Sequence, residues 1–468
     1  MSGLTEKQMA RLTAHSQGGG VAHFMVDSCF SPQGDRDPRK GLGLNQEALA
    51  TLDLGGSKIG CFIVRAEGVR RADRSLRAAG VGFVGSRGIR AGAVIDLEAA
   101  SQSIAKAVEQ AEAMAGCAVR AVRLVIPGAQ TLVHRITTEV SIGHKPIQDH
   151  DTARAISSAL AHIHQPHRKP IHILPLSWRV DQQSEIKDPR GLMGRVLGLE
   201  LLVISINEGV FHGLINAARK AHLEVDAIIS APLASAVGVL EPDEAKLGAI
   251  VIDMGAGTTT LAVFKGGNCI HVDGLNIGGM HVTQDLARGL STTLVGAERV
   301  KTLHGAAIAS IHEDFETVSV PARGDESESG SITVPRSILK GVIAPRIEET
   351  FELLRERLRL SGLNLDSQMG VVLTGGASQL VGVREVAVRI FDRPCRLGRP
   401  VRVKSPLDAS LGPSFAATIG ASLRTVYGPF DVVSTRNIVE GRLGPKDAPK
   451  TQRGDMMERF VELLRDYF

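Results

Sequence analysis

Aromatic residues are scarce, at 3% of the 468 residues, with one tryptophan, Trp178, and two tyrosines. This argues against a single-stranded nucleic-acid platform, which needs successive rings for bases to stack on. Cysteine is scarce too. Cys29, Cys61, Cys117, Cys269 and Cys395 are scattered, odd in number and free of any CxxC pair. That spacing argues against a disulfide framework or a zinc site, and a reducing cytoplasm is the expected compartment. The formal charge is only +4 and no basic run stands out, so charge alone names no partner, and none is expected to be nucleic acid. No apolar run reaches the roughly 18 residues of a membrane-spanning helix. No basic patch followed by an apolar core marks a signal peptide at the start. Two nucleotide-binding signatures are missing as well. No GxGxxG follows the first strand into a helix, and no GxxxxGK[ST] occurs anywhere.

Glycine, by contrast, is placed with a pattern. Three glycine-rich turns each follow a run of strand-forming residues. They are Asp53-Leu54-Gly55-Gly56-Ser57-Lys58 after Leu49–Leu52, Asp253-Met254-Gly255-Ala256-Gly257-Thr258-Thr259 after Ala249–Ile252, and Thr374-Gly375-Gly376-Ala377-Ser378 after Gly370–Leu373. Taken alone, the first turn is equally an ordinary hairpin whose glycines supply positive φ. The second is more specific, because consecutive Gly and Thr gather several donors in one place. As a pair, two Asp turns facing each other can hold a nucleotide triphosphate. Glycines let the backbone approach phosphates, turn amides donate to their oxygens, and aspartates suit Mg²⁺ directly or through its waters.

A hydrophobic fraction of 43% with 22% charged residues fits a largely globular chain, and the length implies two to four domains. Residues 1–45 are rich in Gly, Ser, His, Pro and Arg without a sustained period and read as a disordered extension. The fold is expected to start with a strand at Ala48–Leu54, and Lys58–Ala66 reads as the second arm of a hairpin. A helix is expected over Leu97–Met114, stopped by Gly116. Residues 127–205 change character, with short strands, one helix near Asp151–His164 and many histidines, and read as a small inserted α/β subdomain. The histidines, His172 among them, read as scattered surface residues rather than metal ligands. Strand, Asp–Gly turn and returning strand then recur 200 positions later, at Asp253 against Asp53 (253 − 53). Such self-similar halves point to two related α/β lobes closing on one ligand. The first lobe is assigned to 46–126 and 206–246 and the second to 247–430. Residues 431–453 read as a flexible linker. In 454–468, Met456, Met457, Phe460, Val461, Leu463, Leu464, Tyr467 and Phe468 gather on one side at helical spacing. Bulky apolar residues on a helix behind a flexible linker need a surface to cover, and docking on the core is the plain reading of that stretch.

The three turns, in this order, resemble the phosphate-1, phosphate-2 and adenosine motifs of the superfamily of actins, heat-shock chaperones and sugar kinases. Within it, the chain from about Thr51 to Tyr427 is similar to the FtsA family of bacterial cell-division proteins. Gly92-Ala-Val-Ile-Asp96, Ile186-Lys-Asp-Pro-Arg-Gly-Leu192, Leu233-Ala-Ser235, Gly278-Gly279, Ala297-Glu-Arg-Val-Lys301 and His304-Gly305 add to the likeness.

The resemblance implies an actin-like ATPase fold with ATP and Mg²⁺ in the cleft between the lobes. Asp53 and Asp253 would flank the metal. Gly55, Gly56, Ser57 and Lys58 would meet the phosphates from one lobe, and Gly255, Gly257, Thr258 and Thr259 from the other. Glu298 and Lys301 match the nucleoside-contacting helix; on their own they would read as a solvated helix face. Gly279 falls in the shared motifs, and Gly375, Gly376 and Ala377 in the adenosine loop. The resemblance also implies weak self-assembly into actin-like polymers. It implies FtsZ and later division proteins as partners, and an in-plane membrane helix using Met456, Met457, Phe460, Val461, Leu464, Tyr467 and Phe468. The expected place is the cytoplasmic face of the inner membrane at the division site. One departure bears on turnover. Many superfamily members carry a Glu or Gln that orients the attacking water. Here the matching stretch is Ser230-Ala231-Pro232-Leu233, with Asp226 and Glu241 only at its ends. Tight ATP binding with at most slow hydrolysis is the expectation. The rivals are a small-molecule kinase, a chaperone-like ATPase and a pilus-assembly relative of the same fold.

Overall fold

The computed structural model describes residues 48–67, 75–163, 166–308, 316–322, 331–400, 403–404, 412–426 and 431. Assignments made above to 1–45, to nearly all of 431–453 and to 454–468 lie outside the described residues.

The first lobe begins as a meander. Strand β1 (Ala48–Leu54) pairs antiparallel with β2 (Lys58–Glu67), and β2 pairs antiparallel with β3 (Ser75–Gly85). Helix α1 (Leu97–Ala115) then crosses the sheet. Its ends follow from local chemistry: the Asp96 carboxylate accepts the Ala99 N–H at 3.0 Å, and Gly116 closes the helix in the left-handed region at φ 65°. Ile104, Ala107, Val108 and Ala111, spaced at one helical face, are buried. Strand β4 (Ala121–Ile126) returns parallel to β1.

The insert follows. It is a four-stranded antiparallel sheet built from β5 (Thr131–Pro146), β6 (Arg168–Val180), β7 (Gln183–Ile186) and β8 (Met193–Asn207), in the order β5-β8-β6-β7, with α2 (Asp149–Ala161) against it. The chain re-enters the first lobe through α3 (Glu208–Lys220), β9 (Glu224–Ser230) and α4 (Ala231–Val239).

The second lobe repeats the first. Strands β10 (Ala249–Met254), β11 (Thr259–Lys265) and β12 (Asn268–Leu275) form the meander. Helices α5 (Gly279–Gly289), α6 (Leu294–His304) and α7 (Arg336–Leu360) follow. Strand β13 (Gly370–Thr374) runs parallel to β10; α8 (Val383–Phe391) comes next, and β14 (Cys395–Leu397) extends the sheet beside β13. The sheet order β12-β11-β10-β13-β14 matches β3-β2-β1-β4-β9 of the first lobe strand for strand. Asp53 faces Gly60 and Asp253 faces Thr260 at the same penultimate position of their strands.

The boundary drawn at 430 needs correcting. Strand β15 (Val403–Lys404) adds parallel to β3 on the first-lobe sheet, and α9 (Ala416–Val426) packs against α4, β1 and β2. Ile419 and Leu423 of α9 share a core with Phe62, Val64 and Leu76, so this apolar face seals the open side of β2 and β3. Helix α4 meanwhile touches β10 and β11, placing the α4–α9 pair between the two sheets.

His172 and Asp431 correct two further expectations. His172 is fully buried at 0% exposure, and Asp431, the first residue of the stretch read as a linker, is buried at 2%. The Asp431 carboxylate lies 3.1 Å from His172 Nδ1, accepts the Ile173 N–H at 3.0 Å and pairs with Arg424 at 2.6 Å. His172 Nε2 accepts the Ser230 N–H at 2.8 Å. A backbone amide can only donate, so the ring is neutral with its proton on Nδ1.

Burial, opposed by Asp431, lowers the His172 pKa below its ordinary 6.5. Burial alone would raise that of Asp431, but His172 and Arg424 outweigh it and hold it below 3.8. Both shifts have the same sign. Below about pH 6.5 the unfolded chain protonates His172 while the folded chain does not, so stability falls as pH falls. His134 and His271 are also lowered, chiefly by burial, and add to the trend. Asp53 and Asp253, whose pKa values burial raises, act in the opposite direction, so the His172 contribution is read by difference: in urea unfolding, stability at pH 5.5 relative to pH 7.5 is expected to be higher in His172→Gln than in the parent. Equal slopes in both proteins would refute the assignment to His172.

Candidate functional site

Each Asp turn sits where a strand reverses, and the two reversals face each other. A Cβ placed on Gly56 would lie 3.8 Å from the Gly257 Cα, which brings the two glycine turns to near contact. Asp53 and Asp253 are close enough for the charge of one to disturb the other. Burial pushes the Asp53 pKa up to about 6; Lys58 pulls it down and Asp253 pushes it further up. Burial likewise raises Asp253, opposed by a hydrogen bond from the Ser235 hydroxyl and by Lys58. Lys58, half-buried, is lowered by burial and held up by both carboxylates. Its Nζ lies 4.6 Å above the Phe415 ring. Two desolvated carboxylates with one partly neutralising lysine form a set short of positive charge.

The oxygen donors suit Mg²⁺, which takes few protein carboxylates and keeps waters and phosphate oxygens. Among the described residues, no cluster of three His, Cys, Asp or Glu side chains surrounds a point. Asp53 and Asp253 would thus hold such an ion only together with ligand oxygens.

The second turn is braced by the helix behind it. The Gly255 N–H donates to the Thr258 carbonyl at 2.9 Å, closing the turn. The Gly279 and Met280 N–H groups donate to the carbonyls of Gly255 and Ala256 at 2.9 and 2.7 Å, seating the start of α5 on it. Thr259 is buried and its hydroxyl donates to the Ile277 carbonyl at 2.7 Å, so that hydroxyl is committed to the fold. On the first turn, Gly56 and Ser57 are exposed, and the Ser57 carbonyl accepts the Ser86 N–H at 2.8 Å.

The third turn meets the second. The Gly375 N–H donates to the Pro413 carbonyl at 3.2 Å, and a Cβ on Gly376 would be 3.8 Å from Ser414 Cβ. A Cβ on Gly279 would lie 3.1 Å from Ala377 and 3.7 Å from Lys301 Nζ. Lys301 donates to the Gly279 carbonyl at 3.1 Å, to Thr283 at 2.8 Å and to Glu298 at 2.7 Å. Glu298 and Lys301 are therefore partners in one network, with Lys301 half-buried and Glu298 still exposed to solvent. An open groove of about 600 Å³ is lined by Met280, Thr283, Leu294, Val295 and Glu298 among others. It includes none of the residues of the Asp turns.

Sequence reasoning picked out the turns but not what supports them. Ser235, the one side chain bonding Asp253 from α4, was noted only as part of a family-like tripeptide; a lone hydroxyl in an otherwise apolar helix was the available signal. Thr283 and Phe415 carried no signal. Asp226 pairs with Arg123 at 3.8 Å, and the Glu241 N–H donates to the Glu244 carboxylate at 2.9 Å. The Asp226 carboxylate, at one end of the Ser230–Leu233 stretch, thus has a local partner. The membrane-facing set from Met456 to Phe468 lies outside the described residues.

Comparison with known proteins gives concordant findings. Residues 250–420 match the family model for cell division protein FtsA, and residues 128–205 match that of the SHS2 domain inserted in FTSA. Cell division protein FtsA of Rhizobium meliloti strain 1021 is 35% identical over 378 residues, covering 80% of this chain and 86% of the relative. The protein of the same name from Pseudomonas aeruginosa PAO1 is 32% identical over 411 residues, covering 88% and 96%. Among solved structures, the PilM–PilN type IV pilus biogenesis complex superposes with a TM-score of 0.58 at 18% identity, covering 81% of this chain and 99% of that one. At that identity the likeness speaks for the fold alone.

Proposed function

Because this chain belongs to the FtsA family of bacterial cell-division proteins, we propose that it is an ATP-binding, actin-like scaffold at the division site. It tethers FtsZ filaments to the cytoplasmic face of the inner membrane and recruits later division proteins. The observation that carries the nucleotide part is the meeting of Asp53, Lys58 and Asp253 in one half-buried, charge-deficient set between facing glycine turns.

Bound Mg²⁺ would supply positive charge between the carboxylates and the phosphates. The chain's own residues then do the rest. Asp53 and Asp253 orient the ion, and Lys58 draws the phosphate oxygens toward the first lobe. Amides of the Gly55–Ser57 and Gly255–Thr258 turns donate from either side. Gly375, Gly376 and Ala377 allow the nucleoside to lie close to backbone, beside the Glu298–Lys301 pair. A ligand gripped by both lobes favours their closed arrangement by its differential affinity for that state. With no carboxylate or amide side chain in Ser230–Leu233, turnover is slow and the nucleotide acts as a conformational ligand, supporting weak polymerisation.

The membrane part rests on sequence. Asp455–Phe468 carries four acids and two arginines, a charge of −2, so binding depends on apolar burial at about 25 cal/mol per Å² rather than on anionic lipid. No described helix is long and apolar enough to cross a membrane. Vesicle flotation tests the whole reading. The full chain is expected to float, to carry FtsZ with it, and to respond only weakly to salt. Deletion of Met456–Phe468 is expected to leave both proteins at the bottom. Undiminished flotation of the deleted chain would refute the tether.

A further inference from the structure

The residues that hold Asp431 form a continuous path to Asp253. Asp431 is gripped by His172 and Ile173 of the insert and by Arg424 of α9. His172 passes the contact on, since its Nε2 accepts the Ser230 N–H at 2.8 Å. Ser230 stands at the N-cap position of α4, with no side-chain cap bond, and from that helix the Ser235 hydroxyl donates to the Asp253 carboxylate. A second path runs through α9. Its Ser422 hydroxyl bonds Thr51 at 2.9 Å, two residues before Asp53, and the turn leading into it supplies the Pro413 carbonyl to Gly375. Every side chain of the Asp431 cluster is buried: His172 at 0%, Asp431 at 2% and Arg424 at 6% exposure. A buried ion pair that also satisfies a backbone amide and a ring nitrogen is a high-stakes arrangement. Removing one member leaves a buried charge or polar group unpaired, so the arrangement is costly to break piecemeal. Asp431 also precedes, in sequence, the whole segment that ends in the amphipathic stretch Met456–Phe468.

We infer that the His172–Asp431–Arg424 cluster is a latch that couples the root of the C-terminal segment to the Asp253 side of the cleft. Occupancy of the cleft fixes Asp253 against Ser235, steadies α4 and Ser230 at its start, and tightens the hold of His172 on Asp431. Opening of the latch releases Asp431, the residue from which the C-terminal segment continues, and loosens Asp253. Linkage makes the effect reciprocal: whatever factor Mg·ATP adds to latch closure, latch closure adds to Mg·ATP affinity. The latch rests on the nucleotide reading of the cleft, but its members touch none of the residues assigned to phosphate or nucleoside.

Hydrogen exchange on the full-length protein, with and without saturating Mg·ATP, tests this together with calorimetric ATP affinity. The amides of Ile173 and Ser230, which donate to Asp431 and His172, are expected to exchange several-fold more slowly with Mg·ATP bound. Asp431→Asn, with native exchange in α1 as the check on folding, is expected to lower Mg·ATP affinity roughly five-fold or more. It should also expose the two amides whether or not nucleotide is present. Unchanged exchange at both amides in the wild-type protein while calorimetry shows the cleft saturated would overturn the latch and leave the nucleotide site standing. A folded Asp431→Asn protein with wild-type affinity would overturn it too. Should Asp431→Asn fail to fold, the wild-type comparison decides alone. Absence of any ATP binding heat would remove the cleft reading, and the latch with it.

Discussion

Gly375→Ala is expected to abolish measurable Mg·ATP binding while the protein stays folded. Gly375 has φ 85° and ψ 164°, a region that is essentially glycine-only and costs other residues about 1–3 kcal/mol. Sterics add to the backbone strain. A Cβ there would sit 2.2 Å from Asp253 Oδ1 and 2.5 Å from the Met254 carbonyl, both too close to survive without movement. The movable partner is the Asp253 side chain, which is the one the metal needs. Displacing it removes a ligand and breaks its bond from Ser235 at the same time. We expect an affinity loss of at least about 100-fold, roughly 2.7 kcal/mol, by isothermal titration calorimetry. A melting temperature only a few degrees lower would show that the fold survives. Retention of wild-type affinity would show that Asp253 does not serve the ligand.

Gly420→Ala carries the largest expected effect on stability. Helices α4 and α9 cross so closely that a Cβ on Gly420 would lie 1.7 Å from the Ala234 carbonyl and 2.7 Å from the Gly238 amide. Gly238 answers from the other helix, where a Cβ would fall 2.4 Å from the Ala416 carbonyl. Backbone stands on both sides of the contact, so no side chain can turn away. The helices must separate, and with them the two sheets they lie between. Overpacking of this kind costs about 3 kcal/mol, and more where backbone must shift. Gly341→Ala is the control. Gly341 lies within α7 with nothing inside 4 Å of a new Cβ, so alanine is expected to stabilise by about 0.5–1 kcal/mol. Urea unfolding of the two variants should therefore move in opposite directions. A Gly420→Ala protein as stable as the parent would contradict the described crossing.

These two glycines also show where sequence reading succeeds and where it stops. Gly375 was legible because its turn has a local signature, an apolar strand followed by Gly-Gly and a small residue. The Asp53 and Asp253 turns were legible for the same reason, and their recurrence at one spacing gave the two related lobes. Helix α1 was legible from its period and from Gly116. Gly420 was not, because close helix crossing depends on which residue of a distant helix lies opposite. Helix α4 has no polar face at all, so its period could not say that it lies between two sheets. The return of β15 and α9 to the first lobe leaves no local trace, since a two-residue strand is too short to show a pattern. His172 and Asp431 stand 259 positions apart, and neither residue type is expected in a core until its partner is known. The chemistry of Asp53 and Asp253 followed from composition, but their raised pKa values follow only from burial and mutual proximity.

The central claim is that Asp53 and Asp253 act together on one metal-chelated triphosphate. Calorimetric titration of Mg·ATP into the wild-type chain and into Asp53→Asn/Asp253→Asn measures it most directly. Saturable one-to-one binding by the parent, weakened about 100-fold or more in the double variant, is the expected result. Equal affinity in both proteins would mean that the facing turns hold something else, or nothing, and the cleft reading would fall.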